Sequence, residues 1–151
     1  MSRFEQLRLR WFEKTLEYLD RSSAQSRQEA PHLVTGRRGE RAAFFYLRRL
    51  GFVVTARGWR TPRARGDLDL IAWEKDVLCF IEVKTRTTRA VAPAEAAVDG
   101  EKKRMLRKMA HYYIRQLPTR DVPVRFDILS IYFEAGKSTD FELFRGAFWW
   151  E

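Results

Sequence analysis

The sequence predicts an α/β domain, a small mixed sheet with helices packed against it. Three observations carry this. Residues 67–84, DLDLIAWEKDVLCFIEVK, read as two apolar strands joined by a short turn. Residues 35–51 and 99–117 carry their apolar side chains at helical spacing. Strand-like runs return at 122–133 (VPVRFDILSIYF) and 140–148 (DFELFRGAF). The order helix, three strands, helix, strand, strand implies a mixed sheet flanked by helices.

Taken in order, the first segment places Phe4, Leu7, Trp11, Phe12, Leu16 and Leu19 on one helical face. Residues 20–33, DRSSAQSRQEAPHL, are polar and aperiodic, as a linker would be. The chain therefore divides into an N-terminal amphipathic helical extension with its linker, 1–33, and a main domain, 34–151. The extension either covers core surface or docks on a protein partner. In TGRRGERAAFFYLRRLG, Ala43, Phe44, Leu47 and Leu50 form one stripe, and Gly51 stands where a helix end wants positive φ. FVVTARGWR follows as a strand, then the Arg-rich loop TPRARG, then the hairpin. The helix at 99–117 is closed by Pro118.

Composition narrows the function classes. A chain of 151 residues with 45% hydrophobic residues folds as one domain with a real core. A net charge of +9 favours an anionic partner, nucleic acid first and an anionic surface or acidic protein second. The single cysteine, Cys79, sits within an apolar strand and reads as a small buried hydrophobe. One Cys and two His, His32 and His111, build neither a disulfide framework nor a zinc site. The N-terminus lacks the uninterrupted apolar stretch of a signal peptide and no run reaches transmembrane length, so a cytoplasmic protein without a membrane partner is expected. Walker, nucleophile-elbow and HExxH motifs are missing.

The hairpin carries charges where leucines and valines would serve the sheet. Glu82 and Lys84 share a strand face with Leu78 and Phe80, and Asp67 and Asp69 share one with Ile71 and Trp73. A turn with an even number of loop residues, on 74–75 or on 75–76, puts Asp69 and Glu82 on the same face; a three-residue loop breaks this. Two carboxylates buried side by side are costly unless a cation compensates. Asp and Glu oxygens are the ligands that Mg²⁺ prefers, with waters and a phosphate completing the shell. Lys84 would then face a phosphate at the metal, stabilising charge or orienting the attacking water. The plain alternative is a salt-bridge cluster at the rim of a sheet. Glu40 adds a third acid: it precedes Ala43, Phe44 and Leu47 by three, four and seven residues, and so points along the apolar stripe. Its other reading is a helix N-terminal charge that complements the dipole.

Glu40, Asp69 and Glu82-Val83-Lys84 together resemble the PD-(D/E)xK nuclease signature. More closely, GRRGERAAFFYLRRLGF, GDLDLIAW, FIEVKTR and VRFDIL resemble the motifs of the YraN-like family of small bacterial proteins, from about Gly36 to Phe148. That resemblance implies a restriction-endonuclease-like fold related to the archaeal Holliday-junction resolvases. It also implies a nuclease site holding one or two Mg²⁺ or Mn²⁺ ions through Asp69, Glu82 and Glu40, with Lys84 as the fourth catalytic residue. Resolvases act as two-fold dimers, which implies a homodimer here. Asp67 stands where relatives carry Glu. A second acidic role there, outside the direct ligands, is one reading and no role is the other.

Arginines would grip the substrate. Arg37, Arg38, Arg57, Arg60, Arg63 and Arg65 lie in one stretch, with Arg86 after the hairpin and Lys103 and Arg107 on the second helix. A basic stripe on that helix, Arg104, Arg107, Lys108 and His111, is either a DNA contact or a solvated face. Trp59 reads as strand-end packing, with stacking on an unpaired base as the alternative. The expectation is a metal-dependent endonuclease acting on DNA rather than RNA, branched or structured DNA included. The alternative is a non-catalytic nucleic-acid-binding or adaptor protein that keeps the nuclease fold. Phe148, Trp149 and Trp150 offer an apolar surface at the terminus.

Overall fold

The computed structural model of the chain describes residues 31–89 and 98–150. The amphipathic helix expected at 1–19 and most of the linker lie outside these residues. The described elements are α1 (Pro31–Arg49), β1 (Val53–Thr61), β2 (Ala64–Glu74), β3 (Val77–Arg86), α2 (Gly100–Ile114), β4 (Val124–Tyr132) and β5 (Asp140–Phe148). They form a five-stranded sheet in the order β1-β2-β3-β4-β5. β1, β2 and β3 run as an antiparallel meander, β4 is parallel to β3 after the α2 crossover, and β5 returns antiparallel. The fold is the mixed α/β sheet that the sequence predicts.

The sheet divides the core in two. On one face Ala42, Ala43 and Leu47 of α1 pack with Phe52, Leu70, Cys79, Ile81, Leu129 and Ile131. On the other, Leu106, Met109, Ala110 and Ile114 of α2 pack with Leu78, Phe80, Phe126, Ile128 and Phe148. Central strands covered on both faces are largely apolar on both, and β4 is buried from Phe126 to Tyr132, with Asp127 and Ser130 as its polar members. Cys79 is fully buried, and burial pushes its thiol up to about 12. Among the described residues no helix is long and apolar enough to cross a membrane.

Helix α1 begins at Pro31, four residues before the predicted start and inside the stretch read as linker. Proline suits a first helical turn, because its missing N–H has no partner to lose there. The other end is as expected. Gly51 takes φ +92°, its N–H donates to Arg48 O at 3.1 Å, and the Phe52 N–H donates to Leu47 O at 3.0 Å. That pair of bonds is a Schellman closure.

α1 comes down on β3 at one buried glycine. A Cβ built on Gly39 would lie 2.0 Å from Thr85 Oγ1 and 3.2 Å from Thr85 Cβ, whereas one on Gly36 meets nothing within 4 Å. The two glycines therefore predict opposite signs. Gly36→Ala should stabilise by about 0.5–1 kcal/mol through helix propensity. Gly39→Ala should cost about 1–3 kcal/mol by forcing α1 off the strand. Urea denaturation of both variants checks this; equal shifts of the same sign would remove the close approach as an explanation for Gly39.

The far end of the sheet is tied by charge. Asp127 on β4 is fully buried and accepts from Arg125 Nε at 2.7 Å, Arg125 Nη2 at 2.9 Å and the Gly146 N–H at 2.9 Å. Arg125 also donates to Glu74 Oε2 at 2.6 Å, and Arg145 donates to Glu74 Oε1 at 2.8 Å. Gly146, at φ +64°, lies where the β4–β5 register shifts, and that bulge turns its N–H inward to Asp127.

Candidate active site

The site forms where the β2–β3 ladder stops. A two-residue loop, Lys75 and Asp76, joins the strands, with Lys75 at φ +54°. Pairing then runs from Glu74↔Val77 to Leu70↔Ile81. Counted one step further, the register sets Asp69 opposite Glu82, on the face the even-loop argument requires. In place of another rung, Asp69 Oδ2 accepts from the Val83 N–H at 2.8 Å. A carboxylate thus satisfies a strand amide and is fixed in the opening.

Glu82 is almost wholly buried, with 4% of its surface exposed. Its Oε1 accepts from Lys84 Nζ at 2.8 Å and pairs with Lys102 Nζ at 3.1 Å. Its Oε2 is buried and has no hydrogen-bond partner. Asp69 is pushed up to about 7, first by burial and then by the Glu82 charge, with Glu40 adding to both; the Val83 N–H and Lys102 oppose the rise. Glu40, half-buried on the turn of α1 that Gly39 brings onto β3, therefore senses the site from the opposite layer.

Two further orphans share the row. Ser130, which β4 sets beside Lys84, is fully buried with an unpartnered Oγ, and Arg86, one strand step past Lys84, has a buried Nε without a partner. Buried polar atoms are rarely left unpaired, so the orphaned atoms of Glu82, Arg86 and Ser130 on one strand face single this spot out. Among the described residues no three His, Cys, Asp or Glu side chains already converge as a metal cage. The donor set still fits a hard divalent cation. Mg²⁺ usually takes one or two carboxylates and completes its octahedron with water and substrate phosphate. The raised Asp69 and the orphaned Glu82 oxygen are the two groups that such an ion would relieve.

The family model described as "Uncharacterised protein family UPF0102" matches residues 39–131.

The chain belongs to UPF0102, the YraN family.

It is 51% identical over 109 residues to a UPF0102 protein of Koribacter versatilis, covering 72% of this chain and 76% of that one. To a UPF0102 protein of Solibacter usitatus it is 44% identical over 113 residues, covering 75% and 84%. A UPF0102 protein of Porphyromonas gingivalis is 38% identical over 109 residues, covering 72% and 78%. The matched UPF0102 block begins at Gly39 and contains every acid and lysine of the site, as well as Arg125 and Asp127.

The arginines singled out in this UPF0102 sequence do not converge on one spot. Arg86 stands beside the site. Arg63 and Arg65 lie at the exposed β1–β2 hairpin. Arg60 pairs there with Asp67 at 3.1 Å. Arg37 and Arg38 are exposed near the start of α1, with Arg38 over the Phe133 ring at 4.1 Å, and Arg57 lies over Phe44 at 5.2 Å. Lys103 and Arg107 lie over Phe148, and Arg107 Nε donates to Trp149 O at 2.9 Å. Trp59 packs against the α2-side core, edge-on to Tyr113 at 5.4 Å, as strand-end packing predicts.

Sequence reading missed Lys102. It precedes Leu106 by four residues and Met109 by seven, so it lies on the apolar stripe just as Glu40 does. It also sits in the first turn of α2, where Asp99 caps its N–H at 2.8 Å and where the helix dipole disfavours a cation. A lysine in so unfavourable a place signals a partner, which is Glu82.

Proposed function

We propose that this UPF0102 protein is a divalent-cation-dependent nuclease that hydrolyses phosphodiester bonds in DNA, branched or structured DNA among its substrates, through a PD-(D/E)xK-type site. One observation supports this most. A buried Asp69 shifted to about 7 lies beside Glu82, whose second oxygen is buried and unpaired, with Lys84 and Lys102 at the same point. A structural salt bridge needs neither the second acid nor the orphaned oxygen.

Asp69 and Glu82 would hold Mg²⁺ or Mn²⁺, with Glu40 acting directly or through water. When bound, the ion supplies Lewis acidity to the phosphoryl oxygen and lowers the pKa of a water. The chain's own groups do the rest. Lys84 and Lys102 present two ammonium groups to a phosphate, and Lys84 stabilises the charge that grows on it as water attacks. The water oxygen forms the new P–O bond as the bond from phosphorus to the sugar oxygen breaks; the water's proton passes to solvent, and the leaving sugar oxygen takes one from solvent to become a hydroxyl. The exposed arginines contact backbone phosphates.

The double lysine pairing of Glu82 Oε1 favours a second reading, in which the acids are internally neutralised and the protein binds nucleic acid without cutting it. Titrating Mg²⁺ and Mn²⁺ calorimetrically into wild type and Asp69→Ala, followed by cleavage assays on branched, flapped and linear DNA, separates the two. Heat and cleavage in the wild type alone support the nuclease. Silence in both proteins, even with a non-cleavable junction bound, would move the reading to the binder.

A further inference from the structure

A second binding feature lies at the other end of α2. The helix carries Lys102 at the acidic site and is capped at its C-terminus by Arg115, thirteen residues on and about 20 Å away along its axis. Beyond that end an open groove of about 540 Å³ is lined by Ile114, Val122 and Trp150 among its apolar groups. It meets a second cavity of about 340 Å³ that runs to the tip of the β1–β2 hairpin at Arg63. Arg115 and Arg120 line both. Each volume is in the range of ligand sites.

The charges in this groove differ from those of Arg89, Arg125 and Arg145, which are all spent on carboxylates of the protein. Arg63, Arg115 and Arg120 are exposed, form no ion pair with any described residue, and no acid lines either cavity with them. The indole of Trp150 lies on the Phe126 ring, centroids 5.6 Å apart and 14° from parallel, while 43% of the residue stays exposed at the groove. A held, flat, exposed aromatic beside unspent guanidinium groups suits a ligand that alternates planar rings with anions.

We propose that the Trp150–Arg115–Arg120–Arg63 groove binds single-stranded nucleic acid, stacking an unpaired base on Trp150 and holding the neighbouring phosphates on the arginines. A paired base keeps its faces inside the duplex, so the groove selects single strands. It deepens the nuclease reading by supplying a hold for an unpaired arm, yet it does not depend on the acidic site being catalytic.

The test uses the full chain and a fluorescently labelled 12-nucleotide DNA strand, alone and annealed to its complement, read by anisotropy across a salt series without divalent ions. Wild type should bind the single strand more tightly than the duplex. Arg115→Gln with Arg120→Gln should weaken single-strand binding about tenfold and lower the salt slope by about 1–2. Trp150→Ala should weaken it about tenfold and Trp150→Phe should restore most of it, since a phenyl ring still stacks. Asp69→Ala should lose no affinity for the strand. Unchanged affinity in the arginine double variant, equal binding of duplex and single strand, or capture of an acidic peptide in place of the strand would each overturn the groove. Loss in Asp69→Ala alone would also overturn it and leave the acidic-site reading standing. Groove binding without any metal binding at Asp69 would do the reverse.

Discussion

Asp69→Asn should abolish Mg²⁺ binding and yet give a more stable protein at pH 8. The reason is the cost of the native carboxylate. Burial and the Glu82 charge raise Asp69 from 3.8 to about 7. Between those values the folded state binds more protons than the unfolded one, so stability falls as pH rises through the window. Below about 4 both states are protonated and nothing is lost; above 7 the full penalty is present. Three units correspond to an upper figure of roughly 4 kcal/mol, and relaxation of the site lowers it to about 2–4 kcal/mol. Asparagine carries no charge to bury and keeps an oxygen for the Val83 N–H. Wild type should therefore lose urea stability from pH 5 to pH 8, while the variant stays nearly flat and overtakes it. Saturating Mg²⁺ should restore wild type at pH 8 by mass action and leave the variant unmoved. Parallel pH profiles for the two proteins would refute the strained carboxylate, and with it the chief support for a cation site.

Arg125→Met should be among the most damaging single changes in the domain. It leaves the fully buried Asp127 with only the Gly146 N–H and takes one of the two arginines from Glu74. Removing one partner of a buried pair costs about 3–5 kcal/mol, a large part of the roughly 5–15 kcal/mol that holds a domain together. Adding Asp127→Leu should recover much of the loss, because no charge is then stranded. Both proteins are compared by urea midpoint. A double variant no better than Arg125→Met would show that shape at Arg125, and not the stranded charge, sets the cost.

These two charged clusters show what the sequence discloses and where it stops. The Asp69–Glu82 pairing was legible because it needs only strand alternation and the parity of a loop. Glu40 was legible because its spacing from Ala43, Phe44 and Leu47 is local. Lys102 obeys the same spacing rule but lies among neighbouring cations, and Lys103, three residues before Leu106, comes close to obeying it too, so spacing alone separates the two weakly. Arg125-Phe126-Asp127 was visible as a motif, but its work was not. Glu74 lies 51 residues from Arg125 and 71 from Arg145, and only the strand order brings all three together. The start of α1 was missed because proline and polar residues look like linker until a helix is known to follow them.

The sequestered thiol at position 79 makes the chain easy to instrument. It is the chain's lone cysteine, and at pH 8 a group near 12 is ionised in only about one molecule in ten thousand. Maleimide chemistry would pass over it while the fold holds. A cysteine introduced at Arg63 or Lys108, both exposed, would take a dye or spin label at one defined place without first deleting the native one. Slow labelling of the unmodified chain would in turn clock how often the centre of the sheet opens.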